Sequence, residues 1–119
     1  MQLTYSDLAD SVRKIDLAGR LDLEGTEAID LRFTVLTSTA QAFVIVDLAA
    51  VEFLASIGIA TLVRSARAVR QRGGNMVLLL PRPNVASVLT TTRINQLLPI
   101  CGTLEEALAI VREAPPALI

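Results

Sequence analysis

The sequence predicts an α/β fold, a single domain built on a mixed β-sheet, and three observations carry that reading. Two apolar runs, residues 42–46 and 76–80, do not alternate between apolar and polar positions, as expected of strands buried on both faces. Stretches with apolar residues at helical spacing separate these runs, so helices cross over the sheet and cover it. The chain also opens with two strand-like segments joined by a short polar turn, an antiparallel hairpin that makes the sheet mixed.

The elements follow in order. Residues 2–9 form the first strand and Asp10-Ser11 its turn. Residues 12–21 form the second, with Ile15, Leu17 and Leu21 on one face and Asp16, Arg20 and Asp22 on the other. Residues 24–39 are helical: Ile29, Phe33, Leu36 and Ala40 make one stripe, and Glu24 and Glu27 lie in the first turn, where the helix dipole favours negative charge. The run 42–46 ends at Asp47, and a short connection leads to a helix over 56–72. Its apolar stripe is Ile59, Leu62, Val63, Ala66 and Val69, and Gly73-Gly74 ends it by accepting a left-handed backbone. The strand 76–80 is stopped by Pro81 and Pro83. Asn84 is placed to cap a short helix through residue 92, and a brief strand over 99–101 follows. Thr103-Leu-Glu-Glu106 is a capping-box sequence that opens a last helix over 104–113, ended by Pro115-Pro116. The order is β β α β α β α (β) α.

Composition narrows the function classes. A chain of 119 residues makes one domain with one core. Hydrophobic residues are 52% of the chain and aromatics 3%, so the core is aliphatic. The mean hydropathy of +0.53 raises the question of a membrane, yet no run approaches the ~20 apolar residues of a spanning helix. Residues 1–7 lack the basic and apolar regions of a secretory signal, so a cytoplasmic location is expected. With 11 basic and 12 acidic residues the net charge is −1, which argues against nucleic-acid binding through a broad basic field. There is no His, which removes His-based acid–base chemistry and the commonest metal ligand. The single Cys, Cys101, cannot pair internally; it reads as a small core residue, with a reactive thiol as the alternative. Neither a metal nor a cofactor is expected.

The candidate site is the start of the second helix. Ser56 there has two readings: an N-cap, or a hydroxyl displayed where a phosphate is electrostatically welcome. Leu54 and Ile57 flank it in a loop and a first turn expected to be partly exposed. Gly58 stands where Gly costs roughly 1 kcal/mol relative to Ala, and it permits close approach by another molecule. Ala55, Gly58 and Ala60 keep the surroundings slim, so the surface suits docking better than catalysis. A nucleophilic serine needs a base, and the sequence offers neither His nor the Gly-x-Ser-x-Gly pattern. A P-loop is also excluded, since the Gly-x-x-x-x-Gly-Lys core is missing. Arg64, Arg67, Arg70 and Arg72 spread around their helix, consistent with a solvated surface. Asp22 lies between a strand and a helix close to Gly25, as a turn or cap or as a second edge of a binding surface.

Residues 47–59, Asp-Leu-Ala-Ala-Val-Glu-Phe-Leu-Ala-Ser-Ile-Gly-Ile, resemble the signature of STAS domains of the anti-sigma factor antagonist type. Residues 17–22, Leu-Ala-Gly-Arg-Leu-Asp, and the closing Leu104-Glu-Glu-Ala-Leu108 are similar to two flanking family segments. The resemblance implies one domain over residues 1–114 with a short tail at 115–119. It implies a four- to five-stranded mixed sheet, with about four helices packed mainly on one side. It further implies a binding module without catalysis that engages an anti-sigma factor which is also a serine protein kinase. That kinase would phosphorylate Ser56, a PP2C-type phosphatase would reverse the step, and no nucleic acid or membrane insertion is involved. Asp22, Leu23, Leu54, Ala55, Ser56, Ile57 and Gly58 are the expected partner-binding residues. Two departures stand out: Ala55 replaces the family's Asp before the serine, and Ile57 replaces its second hydroxyl residue. Arg93 is a third, where many relatives have Gly. Within the same fold, an accessory STAS subunit of a transporter, or a scaffold without the phospho-switch, is the alternative.

Overall fold

The computed structural model describes residues 1–38 and 43–113. Strand β1 (Gln2–Leu8) and strand β2 (Val12–Leu21) pair antiparallel, with Leu8 opposite Val12. Asp10 and Ser11 in the turn take φ of 62° and 63°, the left-handed pair that matches the twist of a hairpin and that a short polar side chain tolerates. The other elements are α1 (Leu23–Ser38), β3 (Phe43–Leu54), α2 (Ser56–Gln71), β4 (Asn75–Leu79), α3 (Pro83–Thr91), a 3-10 turn (Ile94–Gln96), β5 (Ile100–Cys101) and α4 (Leu104–Ile110). The five strands lie in the order β1-β2-β3-β4-β5. Among the described residues only the β1–β2 pair is antiparallel, so the sheet is mixed, as expected.

Period-two alternation splits the core between the two faces of the sheet. Ile15, Leu17, Val44, Val46, Met76 and Leu78 face the larger cluster, which also takes in Ile29 and Phe33 of α1, Leu62, Ala66 and Val69 of α2, and Val85 and Leu89 of α3. Val12, Ile45, Val77, Leu79 and Cys101 face the smaller one, closed by Ala107 of α4 and by Val111. The helices therefore pack mainly on one side.

Several boundaries differ from expectation. β3 runs on to Leu54, where a connection after Asp47 was expected. Its buried positions Leu48, Val51 and Leu54 are three apart, because the ladder with β2 shifts register twice, between Asp16 and Ala18 and between Gly19 and Arg20. Bulges of this kind break the alternation by which a strand is recognised. Asn84 does not cap α3: Arg82 holds the N-cap position and Pro83 the first turn, while the Asn84 amide donates to the Glu52 carbonyl at 2.8 Å. The last helix ends at Ile110, well before the prolines. The Thr103 hydroxyl does accept from the Glu106 N–H, at 3.1 Å. Gly73 takes φ +86° beyond α2, and the N–H of Gly74 reaches back to the Val69 carbonyl. Ala40 and the tail at 115–119 lie outside the described residues.

Candidate functional site

Strands β2 and β3 end side by side, with Leu21 opposite Leu54. The Ala55 N–H continues the ladder, donating to the Leu21 carbonyl at 2.9 Å. Helices α1 and α2 consequently start together at the carboxyl edge of this strand pair, where open parallel sheets place their functional surfaces. This pairing brings Asp22 and Leu23 next to Ala55 and Ser56.

Ser56 is exposed, but it is not the cap. The N-cap is Ala55, with extended backbone at φ −92° and ψ 168°, and its carbonyl accepts from the Ile59 N–H at 3.1 Å. The strand ends at Leu54 and a single residue makes the bend, so helical geometry has already begun at Ser56. An alanine methyl cannot accept a hydrogen bond, and the first turn of α2 holds no acidic residue. The leading N–H groups of α2 thus have no side-chain acceptor from the cap position, and a free hydroxyl stands among them.

Leu54 and Gly58 turn inward. Leu54 is 4% exposed and belongs to the core. A Cβ on Gly58 would sit 2.9 Å from Leu54 Cδ1 and 3.1 Å from both Cβ and the carbonyl oxygen of Leu21. The close approach that Gly58 permits is therefore that of its own neighbouring strand, where an external molecule was expected. Ala55 and Ile57 are half-buried.

Across the seam, Asp22 caps α1: its Oδ1 accepts from the Gly25 N–H at 2.8 Å. That backbone bond is the main reason its carboxyl lies below the usual carboxylate range, with the Arg20 guanidinium adding to it. Leu23 beside it is 57% exposed. Two further exposed residues, Arg20 and Phe53, lie within the two sequence motifs, but nothing in either motif marks them as a pair. The register sets Arg20 opposite Phe53, and the guanidinium lies 4.5 Å from the ring centroid. Phe53 is 38% exposed, so a cation over an aromatic face sits on the same edge as Ser56. The signal was in the cross-strand pairing, which sequence spacing alone does not give.

The other candidates are held elsewhere. Cys101 is fully buried, and burial pushes its thiol up, with Glu106 adding to the shift. Arg64 pairs with Asp30 at 2.9 Å, Arg70 donates to the Asn75 side chain at 3.0 Å, and Arg72 donates to the Thr37 carbonyl. These arginines tie α2 to its neighbours and do not form one surface patch. Among the described residues there is no group of three or more Asp, Glu, Cys or His side chains placed to hold a metal ion. None of the described helices is long and apolar enough to cross a membrane.

A family model described as the STAS domain matches residues 7–107. Among solved structures, the fold is similar to an anti-sigma factor antagonist from Mycobacterium paratuberculosis, at 22% identity over 94% of each chain and a TM-score of 0.84. An anti-sigma-factor antagonist (STAS) domain protein from Planctomyces limnophilus is 29% identical over 92% of this chain and 96% of its own, with a TM-score of 0.81. The Bacillus cell fate determinant SpoIIAA in its phosphorylated form is 21% identical over 93% of this chain and 100% of its own, with a TM-score of 0.69. No curated protein matches the sequence.

Proposed function

Because this chain belongs to the STAS domain family, we propose that it is an anti-sigma factor antagonist: a binding module that sequesters an anti-sigma factor with serine kinase activity, and that phosphorylation at Ser56 switches off. The observation that carries this reading is the placement of an exposed hydroxyl in the first turn of α2, beside the start of α1. The related structures described as anti-sigma factor antagonists support the role, and the relative described in a phosphorylated form supports the switch.

The mechanism follows from charge and position. Unmodified, Ser56 docks with Ile57, Ala55, Leu23 and the aliphatic surroundings of the seam against the partner. Leu54 and Gly58 act from beneath, setting the position of that surface. Phosphorylation adds about −1.5 to −2 charges at neutral pH. In the free protein the helix dipole and the uncapped N–H groups of α2 accommodate that charge. In a closed apolar interface the same charge loses its water without gaining a partner cation. A penalty of only ~3 kcal/mol weakens binding more than a hundredfold. The switch thus needs no refolding. A PP2C-type phosphatase would reset it. With Ala55 in place of the family's Asp, residue 55 supplies no carboxylate, and Asp22 at the start of α1 is engaged with the Gly25 N–H.

Binding of the anti-sigma factor, measured by calorimetry or pull-down, is expected to fall at least a hundredfold in Ser56→Glu and to persist in Ser56→Ala. Incubation with the kinase and ATP followed by peptide mapping is expected to place the phosphate on Ser56 in the wild type, and nowhere in Ser56→Ala. Full affinity in Ser56→Glu would remove Ser56 from the interface. Co-purification with a transporter ATPase, and no anti-sigma factor, would assign the module to a transporter complex.

A further inference from the structure

The outer face of α1 has no use in the fold described so far. The inner face of this helix is Gly25, Thr26, Ile29, Phe33 and Thr37. On the opposite side stand Ala28, Leu31 and Val35, spaced by three and four residues and all exposed, Leu31 by 77% and Val35 by 52%. At about 100° per residue the three fall within about 60° of one another. A helix that is apolar on two opposed faces calls for a second partner. Glu27 and Arg32, both exposed, border the stripe on opposite sides. One Arg32 Nη donates to the Leu3 carbonyl at 3.1 Å, which fixes the side chain and leaves further guanidinium donors.

In heptad terms Ala28 and Val35 are a positions, Leu31 is d, Glu27 is g and Arg32 is e. A β-branched residue at a with Leu at d suits a parallel two-stranded pair. In such a pair a g residue meets the e residue five positions later in the other chain, which sets Glu27 against Arg32 twice over. An antiparallel pair would set g against g and e against e, so Glu27 would face Glu27 and Arg32 would face Arg32. We propose that α1 pairs in parallel with α1 of a second copy of this chain, through Ala28, Leu31 and Val35, with Glu27–Arg32 ion pairs on both flanks. The two-fold axis runs along the helices, and the contact is self-complementary. Glu24 occupies the next d position and would face its own copy, which limits the seam to about two turns and makes the dimer weak. This inference does not depend on Ser56 or on the partner it binds.

Sedimentation equilibrium over a rising concentration series tests it on the full chain. The wild type is expected to show a monomer–dimer equilibrium, and Leu31→Glu to abolish it. That residue is solvent-facing, so circular dichroism should show the fold unchanged. Glu27→Arg should raise the dissociation constant roughly tenfold, through two repulsive pairs. Glu27→Arg combined with Arg32→Glu should restore it, and Glu24→Leu should tighten the dimer. Under oxidation Leu31→Cys should give a disulfide-linked dimer. A wild type that stays monomeric while Leu31→Cys fails to cross-link would overturn the proposal. So would a dimer that survives Leu31→Glu, or a charge swap that does not rescue Glu27→Arg.

Discussion

Ala55 is the position where α2 is least well served. It has the extended backbone of an N-cap and no side chain to accept from the N–H groups of Ile57 and Gly58. Replacing a good capping residue by Ala costs about 0.5–2 kcal/mol, so the reverse change gains on that order. Ala55→Asp is therefore expected to raise stability by about 1 kcal/mol, seen as a higher urea midpoint at constant slope. An unchanged or lower midpoint would mean that the half-buried site does not accept a carboxylate. At this scale the motif made Ser56 and its neighbours legible, since residue type and spacing are sequence properties. Which of them face water was not. Leu54 and Gly58 look like surface residues in sequence, and they are internal because β3 sets Leu54 opposite Leu21 and the first turn of α2 brings Gly58 against both.

The joint between β2 and α1 is set by a glycine at which backbone meets backbone. A Cβ on Gly25, in the first turn of α1, would lie 1.8 Å from the carbonyl oxygen of Arg20. Helix propensity favours Ala over Gly by about 1 kcal/mol, yet here the clash is with main chain that cannot rotate away. Gly25→Ala is expected to destabilise by about 2–3 kcal/mol, with α1 pushed off the end of β2. Gly102, which has nothing within 4 Å of its Cβ position, is the control, and Gly102→Ala should change stability by less than about 0.5 kcal/mol. Comparable midpoints for the two variants would show that the α1 joint yields without cost. Elements with unbroken periodicity, such as α2 and the β1–β2 hairpin, could be read from the sequence. The second half of β3 could not, because its register shifts are set by pairing with β2, and pairing partners are remote in sequence.

Over the whole molecule, the absence of His predicts a flat stability profile between about pH 5 and 8, since no unperturbed side chain titrates there. The acid limb is governed by carboxylates held below their ordinary range. Asp7 is held down first by its hydrogen bond from Arg13, at 2.6 Å from Nε, and Asp22 by the Gly25 N–H. A carboxyl with a depressed folded-state pKa contributes fully above its unfolded value, about 3.9, and loses that contribution as pH falls through the folded value. Thermal stability should therefore hold down to about pH 5 and decline below about pH 4. Asp7→Asn should flatten part of the decline, and an acid limb identical to the wild type would exclude Asp7 as a contributor. The sequence by itself determined the fold class, the aliphatic core, the order of elements and the candidate serine, because these rest on local periodicity, composition and residue chemistry. Only the tertiary structure decided that α1 and α2 start at one edge, that Arg20 stacks on Phe53, and that Ala55 rather than Ser56 holds the N-cap position. It also decided that α1 presents a second apolar face. Each of these depends on strand register or on which side of a helix meets the sheet, and both are fixed by contacts between residues far apart in the chain.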